Sequence, residues 1–189
     1  GGSDYVRGLW LPKNTDTTTS TSEEKDARTF TEVNTMAGRG SALGSGWAVS
    51  YNGSTDGATV PDNDDFSLGD GATDMPMTIM ALVNQTATAT IKTILSKYDL
   101  TTGLTKREWW FYLDAAEKLV FEQYDESAAA KVGRTYNTAL ATATWMLLTA
   151  TSDGSRDSSG MALYQNEARI DDTGSNSGTY VAMENTASL

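Results

Sequence analysis

Two runs of strand-forming residues joined by a short polar turn constrain this chain more than any other feature. In Arg107–Asp125 (REWWFYLDAAEKLVFEQYD) the strand-like pattern appears on both sides of Ala115–Lys118. Successive side chains of a strand point to opposite faces of a sheet, so this pattern predicts a half-buried β-hairpin. The face toward the core would carry Trp109, Phe111, Leu113, Leu119 and Phe121. The opposite face would carry Trp110, Tyr112, Glu122 and Tyr124.

Further segments rich in strand-forming residues recur at intervals typical of a β-sandwich. They are Thr29–Val33, Trp47–Tyr51, Ala58–Val60, Met77–Asn84, Ile91–Tyr98, Trp145–Thr151 and Met161–Asn166. Met77–Asn84 is apolar on both faces, which favours a central position in its sheet. Gly38–Gly46 is predicted to be a glycine-rich connection, and residues 13–25 an exposed threonine-rich loop. The expected fold is all-β, with two packed antiparallel sheets and negligible helix.

The composition limits the size of the core and the kinds of partner. With 189 residues and 39% hydrophobic content, the chain can bury one sizeable core, so residues 1–189 are expected to form a single domain. A net charge of -11, with 14 scattered basic residues, argues against nucleic acid and anionic membrane surfaces as partners. The longest apolar stretches, such as Trp145–Leu148, are too short to span a bilayer, which argues against membrane insertion.

The absence of cysteine and histidine restricts the chemistry that this chain can perform. It excludes thiol catalysis, thiolate or histidine metal sites and the Ser-His-Asp triad. Retaining glycoside hydrolysis would require two carboxylates about 5 to 5.5 Å apart. Neither Glu24–Asp26 nor Glu122–Glu126 has the required Glu-x-Asp-x-x-Glu spacing. The chain is therefore predicted not to be an enzyme.

Four stretches in order carry a resemblance to a known superfamily. They are Tyr51–Pro61 (YNGSTDGATVP), Met77–Val83 (MTIMALV), Arg107–Phe121 and Trp145–Asn166, with its TSDGS and ALYQN motifs. This ordered set resembles the concanavalin A-like lectin/glucanase superfamily, in particular its laminin-G-like jelly-roll branch. The resemblance implies a jelly-roll sandwich.

Two departures from the family pattern change what is expected of this chain. Glu117-Lys118 and Asn166-Glu167 stand where the family usually has glycine, which is expected to alter only the turn geometry. In the family, a segment like Tyr180–Leu189 leads into further closing strands. A sheet without those strands is expected to be completed by a protein partner or by a second copy, unless Tyr5–Leu11 covers the gap.

The resemblance also suggests ligands. Calcium is the family's usual ion, and Asp56 is the position that matches best, with Asn52 and Asp153 as companions. The alternative is an ordinary solvated turn aspartate. Sugar binding requires an aromatic face beside hydrogen-bonding groups, which Trp110, Tyr112, Glu122 and Tyr124 would supply. The alternative is that these four residues are ordinary cross-strand pairs.

Two functions are left open. The leading hypothesis is a non-catalytic, lectin-like carbohydrate-binding or adhesion module. The alternative is a structural or assembly module of a phage or other viral surface protein, without glycan binding. The sequence does not fix the compartment, although both hypotheses favour an extracellular or virion surface.

Overall fold

The computed structural model describes residues 31–33, 37–40, 47–62, 66–99 and 106–184. The chain divides into two compact units, with the boundary between Asp65 and Phe66. The predicted loop at residues 13–25 and the segment Tyr5–Leu11 lie outside the described residues. That residues 1–189 form a single domain stays a prediction.

The described part of the first unit contains two short antiparallel strand pairs. Strand β1 (Thr31–Val33) pairs with β4 (Gly57–Thr59), and β2 (Ala37–Gly40) pairs with β3 (Trp47–Ser50). The prediction that Gly38–Gly46 is only a connection is wrong over its described residues. Gly38 and Gly40 lie within β2, because strand pairing uses the backbone and does not need a side chain at each position.

The second unit contains two antiparallel sheets. The four-stranded sheet has the order β12 (Ala168–Arg169), β11 (Met161–Gln165), β10 (Trp145–Ser152), β5 (Met77–Asn84). The five-stranded sheet has the order β13 (Thr173–Ser177), β9 (Ala130–Thr135), β8 (Leu119–Asp125), β7 (Lys106–Leu113), β6 (Lys92–Asp99). Helix among the described residues is limited to 3₁₀ turns such as Ser158–Gly160. These findings confirm the predicted all-β, two-sheet antiparallel class.

The core lies between the two sheets. Phe111 and Phe121 are fully buried, and their rings meet edge to face at 6.3 Å between centroids. A polar bridge crosses the same core: the Gln123 Nε2 atom lies 3.4 Å from Met77 Sδ, and Ser152 Oγ donates to Gln123 Oε1 at 3.0 Å. Because Gln123 belongs to β8 whereas Met77 and Ser152 belong to β5 and β10, its amide joins the two layers. The predicted inward face of the hairpin is confirmed.

Strand β5 does not have the central position that its apolar run suggested. Among the described residues it pairs only with β10 and lies at the end of the sheet. Met77 and Ile79 are buried, whereas Met80 and Leu82 are 66% and 38% exposed. The run is apolar on both faces because the outer face of this sheet is itself partly apolar.

Two strands of the five-stranded sheet were not predicted. Strand β9 contains Lys131, Gly133 and Arg134, which interrupt any apolar alternation. Strand β13 (TGSNS) has no apolar residue, and all five of its residues are exposed. Both strands form through backbone pairing with a neighbour that is already in place, as β8 pairs with β9 and β9 with β13.

The two turns in which the resemblance led to an expectation of glycine have backbone angles that glycine would adopt readily. Glu117 has a φ of 63°, and Asn166 and Glu167 have φ values of 48° and 72°. The Glu117 side chain offsets part of this strain, because its carboxylate accepts hydrogen bonds from Thr88 N at 3.1 Å and from Lys92 Nζ. The Glu117 side chain therefore links the hairpin turn to the β5–β6 connection at Thr88 and to Lys92 at the start of β6.

The described chain ends in a segment without strand structure, Gly178–Glu184, that enters the core. Met183 is fully buried, and its N–H donates to Asp74 Oδ1 at 2.8 Å. The Tyr180 hydroxyl donates to Asp74 Oδ2 at 2.6 Å, and Val181 N donates to Asp125 Oδ2 at 2.8 Å. Two carboxylates thus hold this segment in place. No helix within the described ranges is long and apolar enough to cross a membrane.

Candidate functional site on the outer face of the five-stranded sheet

The four residues predicted as a sugar-binding platform lie together on the outer face of the five-stranded sheet. Trp110 and Tyr112 belong to β7, and Glu122 and Tyr124 belong to β8. Trp110 stands directly opposite Glu122 in the strand register. The inward neighbours of these residues are the buried core residues, so the alternation of the hairpin places all four on one side of the sheet.

A β-bulge near the start of β7 adds residues to this face that the alternation alone does not place there. Lys97 pairs with Trp109 but Tyr98 pairs with Arg107, so Glu108 is the extra residue. Glu108 and Trp109 are consecutive and both buried. Lys97 Nζ, also buried, lies 2.7 Å from Glu108 Oε1. The bulge turns Glu108 inward and leaves Arg107 and Tyr98 on the outer side.

We define the outer-face cluster as Tyr98, Arg107, Trp110, Tyr112, Glu122, Tyr124, Glu126 and Lys131. Its centre is a ladder of rings. Trp110 stacks on Tyr112 at 4.0 Å with an interplanar angle of 22°, and it contacts Tyr98 at 4.8 Å. Tyr98 pairs with the start of β7 and Tyr112 lies near its end, so these neighbours flank Trp110 from opposite directions. The indole N–H donates to Thr93 Oγ1 at 3.0 Å.

This stacking changes the role expected of Trp110. A pyranose ring binds an aromatic side chain through its exposed ring face. Tyr112 stacks on one face of Trp110, Tyr98 contacts it at a tilt of 47°, and its N–H already has an acceptor. Tyr112, in contrast, has one ring neighbour, Trp110, among the aromatic contacts of the described residues. Tyr112, which is half-buried, is therefore the ring of the ladder with the fewest aromatic contacts among the described residues.

The Glu122 carboxylate organises the polar part of the cluster. It accepts hydrogen bonds from the Tyr112 hydroxyl at 3.2 Å, from the Tyr124 hydroxyl, and from Lys131 Nζ at 2.5 Å. Gly133 stands opposite Glu122 in β9, and a Cβ atom there would lie 3.0 Å from Glu122 Cγ. Glycine thus leaves the space that the glutamate side chain fills.

Burial and the negative charge of Glu122 raise the pKa of both hydroxyls that bind it. The pKa values of Tyr112 and Tyr124 are raised first by desolvation and then by the adjacent carboxylate, because both effects disfavour a phenolate. The two tyrosines therefore remain protonated donors throughout the physiological pH range. The geometry is preformed, since each donor already has its acceptor.

Two cations lie above the Tyr124 ring, and each is paired with a carboxylate. The Arg107 guanidinium carbon is 4.4 Å from the ring centroid, and Lys131 Nζ is 6.0 Å away. Arg107 Nη2 donates to Glu126 Oε2 at 3.2 Å, and the hydrogen bond to Glu126 raises the pKa of Arg107. Tyr124 is only 4% exposed although it lies on an outer face, and the side chains of Arg107 and Lys131 contribute to its burial.

The predicted calcium ligands fall into the two separate units. In the first unit, Asn52 Oδ1 accepts the N–H groups of Ser54, Thr55 and Asp56, and Asp56 Oδ2 accepts Asn52 N at 2.9 Å. These oxygens therefore hold the turn itself.

In the second unit, Asp153 Oδ1 accepts Ser155 N at 2.8 Å, and hydrogen bonds from Ser155 lower the pKa of this aspartate. Among the described residues no group of three or more acidic side chains is placed to share a metal ion. Calcium binding stays a prediction.

Four members of the outer-face cluster were not predicted to be part of the site: Tyr98, Arg107, Glu126 and Lys131. Arg107 reaches the outer face through the bulge, which no periodicity in the sequence announces. Lys131 belongs to an unpredicted strand. The sequence feature that could have indicated these residues is the presence of basic and acidic residues on both sides of the aromatic hairpin. Comparisons with protein-family models, with curated proteins and with solved structures found no match for this chain.

Proposed function

We propose that this chain is a non-catalytic carbohydrate-binding or adhesion module with a laminin-G-like, concanavalin A-like jelly-roll fold, and that the ligand binds the outer-face cluster. The observation that carries the proposal is the preformed arrangement of the Tyr112 ring beside the Glu122 carboxylate and the Lys131 ammonium. A ring face next to fixed donors and acceptors suits a sugar, which has an apolar face and a rim of hydroxyl groups.

In this arrangement the sugar stacks on the face of the Tyr112 ring opposite its contact with Trp110. Lys131, whose side chain is 40% exposed, retains N–H groups that are not bonded to Glu122 and donates them to sugar hydroxyls. Trp110 supports the Tyr112 ring from behind. The site needs little rearrangement on binding, which lowers the entropy that binding costs.

The carboxylates of Glu122 and Glu126 are already hydrogen-bonded within the outer-face cluster, which favours a role without catalysis. In the cluster Glu122–Glu126, Glu122 faces outward and binds three donors, whereas Glu126 pairs with Arg107. Asp125 is 2% exposed, and its Oδ2 atom accepts Val181 N at the end of the described chain. Hydrolysis with retention would require two carboxylates to face one scissile bond.

A glycan array, followed by calorimetric titration of any glycan that binds, tests the proposal. We expect Tyr112→Ala to weaken binding at least about tenfold, because truncation of a central aromatic contact typically costs more than about 1 kcal/mol. Tyr164→Ala is the matched control, since Tyr164 is a partly exposed tyrosine on the outer face of the four-stranded sheet. Binding that survives Tyr112→Ala, or no binding on the array, would contradict the proposal.

The second candidate function is that of a structural or assembly module of a phage or other viral surface protein. The observation that favours it is the apolar outer face of the four-stranded sheet. Met80 is 66% exposed and Leu82 is 38% exposed, and Leu147 stands opposite Leu82. Exposed apolar patches of this kind mark protein contacts. Sedimentation over a range of micromolar concentrations tests this function. A chain that stays monomeric throughout the range would contradict assembly by self-association.

A further inference from the structure

The outer-face cluster combines two cations and two anions in two internal pairs. Lys131 is bonded to Glu122, and Arg107 to Glu126. The formal charges of these four groups sum to zero. Among the described residues, the other side chains bonded to these four groups are the hydroxyls of Tyr112 and Tyr124 on Glu122 and that of Tyr98 on Arg107, which carry no charge.

A face of this kind treats neutral and charged ligands differently. An anionic ligand would have to compete with Glu122 or Glu126 for Lys131 or Arg107, and it would approach a chain whose net charge is -11. A cationic ligand would have to compete for carboxylates that are already hydrogen-bonded. Neutral hydroxyl groups meet neither obstacle. They can accept from Lys131 and donate to the carboxylate oxygens without breaking an ion pair.

The strength of the existing pairs makes this competition costly. The Glu122 carboxyl side chain is only 10% exposed, and it has three donors. The Glu126 side chain is 16% exposed and binds the Arg107 guanidinium through two nitrogens. Removing a partner from a largely buried charge leaves that charge unsatisfied.

We infer, on the basis of the carbohydrate-binding function proposed above, that the outer-face cluster selects uncharged, hydroxyl-rich saccharides over saccharides that carry carboxylate or sulfate groups. Binding then depends on stacking and neutral hydrogen bonds. The affinity is accordingly insensitive to salt, because no ions are released or screened when a neutral ligand binds.

The first experiment compares neutral glycans with uronic-acid, sialylated and sulfated glycans on the same array. The best-binding glycan is then titrated calorimetrically in 50 mM and in 500 mM NaCl. We expect neutral glycans to bind best, with a Kd that changes less than about twofold between the two salt concentrations. Preference for acidic glycans, or a Kd that rises tenfold in high salt, would overturn the inference while leaving the carbohydrate-binding function in place. An array without any bound glycan would overturn the proposed function itself.

The second experiment changes the charge of the face by one unit. Glu126→Gln releases Arg107 from its carboxylate partner and gives the outer-face cluster a net charge of +1. We expect the affinity for hexagalacturonate relative to cellohexaose to rise about two- to fivefold, the size of one exposed ion pair. Glu167→Gln, in the exposed β11–β12 turn, changes the net charge of the chain equally and should leave this ratio unchanged. An unchanged ratio in Glu126→Gln would contradict the inference.

Discussion

The outer faces of the two sheets differ in chemistry although the same alternation builds both. On the five-stranded sheet, rings stack on one another and every charge of the outer-face cluster has a partner. On the four-stranded sheet, Met80 and Leu82 present hydrocarbon to solvent. The inner faces supply the stability of the sandwich, so each outer face is free to serve a different contact. A polar, aromatic face suits a small hydroxylated ligand, and an apolar face suits another protein.

The sharpest test of this division uses two neighbouring residues on opposite faces of β7. Phe111 is fully buried, and Phe111→Ala should lower the free energy of unfolding by about 3–5 kcal/mol through the cavity that it leaves. Tyr112→Ala removes an outer-face side chain and should cost about 1–2 kcal/mol, because it loses one ring contact with Trp110 and one hydrogen bond to Glu122. Urea denaturation measures both. Equal losses would show that the outer face is part of the structural core and would break the comparison.

The next largest expected loss of stability comes from the ion pairs that join the two sheets. The Asp171 side chain is 1% exposed, accepts Arg169 Nε at 2.8 Å and Leu163 N at 3.1 Å, and pairs with Arg134 of β9. Asp171→Asn should cost about 2–3 kcal/mol, because a largely buried arginine loses its counter-charge. Asp172→Asn, which alters an exposed neighbour, is the control. A loss below about 0.5 kcal/mol would show that the Asp171 ion pairs do not help to hold the two sheets together.

The same aspartate predicts a pH dependence. Burial alone would raise its pKa, but hydrogen bonds from Arg169, Leu163 N and Arg134 outweigh this effect and lower the pKa to about 2. The ionised form is favoured in the folded state, so its stabilising contribution is present above the unfolded pKa of about 3.9. It is lost as the pH falls through the folded pKa. Stability of the natural chain should fall between about pH 4 and 2, and the slope in that window should be smaller in Asp171→Asn.

The sequence predicted the two-sheet class and the facing of the β7–β8 hairpin, because burial of one face forces a period of two. It did not predict β13, whose residues are all exposed and whose strand depends on β9 alone. It placed Trp110 and Tyr112 on the outer face but not Arg107, since the bulge at Glu108 changes the register locally. Stacking of Trp110 between two tyrosines depends on this register, so no pattern of residue types could have announced it.

The ring ladder leads to a prediction with a smaller expected effect. It distinguishes a residue that supports the binding site from one that contacts the ligand. Trp110 contacts Tyr98 and Tyr112, and aromatic pairs contribute about 0.5–1.5 kcal/mol each. Trp110→Ala should therefore lower the free energy of unfolding by about 1–2 kcal/mol and also weaken glycan binding, because Tyr112 loses its support. Trp110→Phe, which keeps a ring in the ladder, should recover most of both losses. Unchanged stability in Trp110→Ala would mean that the stacking does not support the fold.

The smallest expected effect on stability comes from the apolar outer face. Met80 is 66% exposed, so Met80→Ser removes few packing contacts and should change the free energy of unfolding by less than about 0.5 kcal/mol. If the outer face of the four-stranded sheet is an assembly surface, the same change should shift the sedimentation of the chain toward the monomer, because it removes apolar area from the contact. Thr78→Ala, on the same face of β5, is the control because it removes a polar group instead. A large loss of stability in Met80→Ser would show that this face is covered within the folded chain, and the two outer faces would then no longer be comparable as free surfaces.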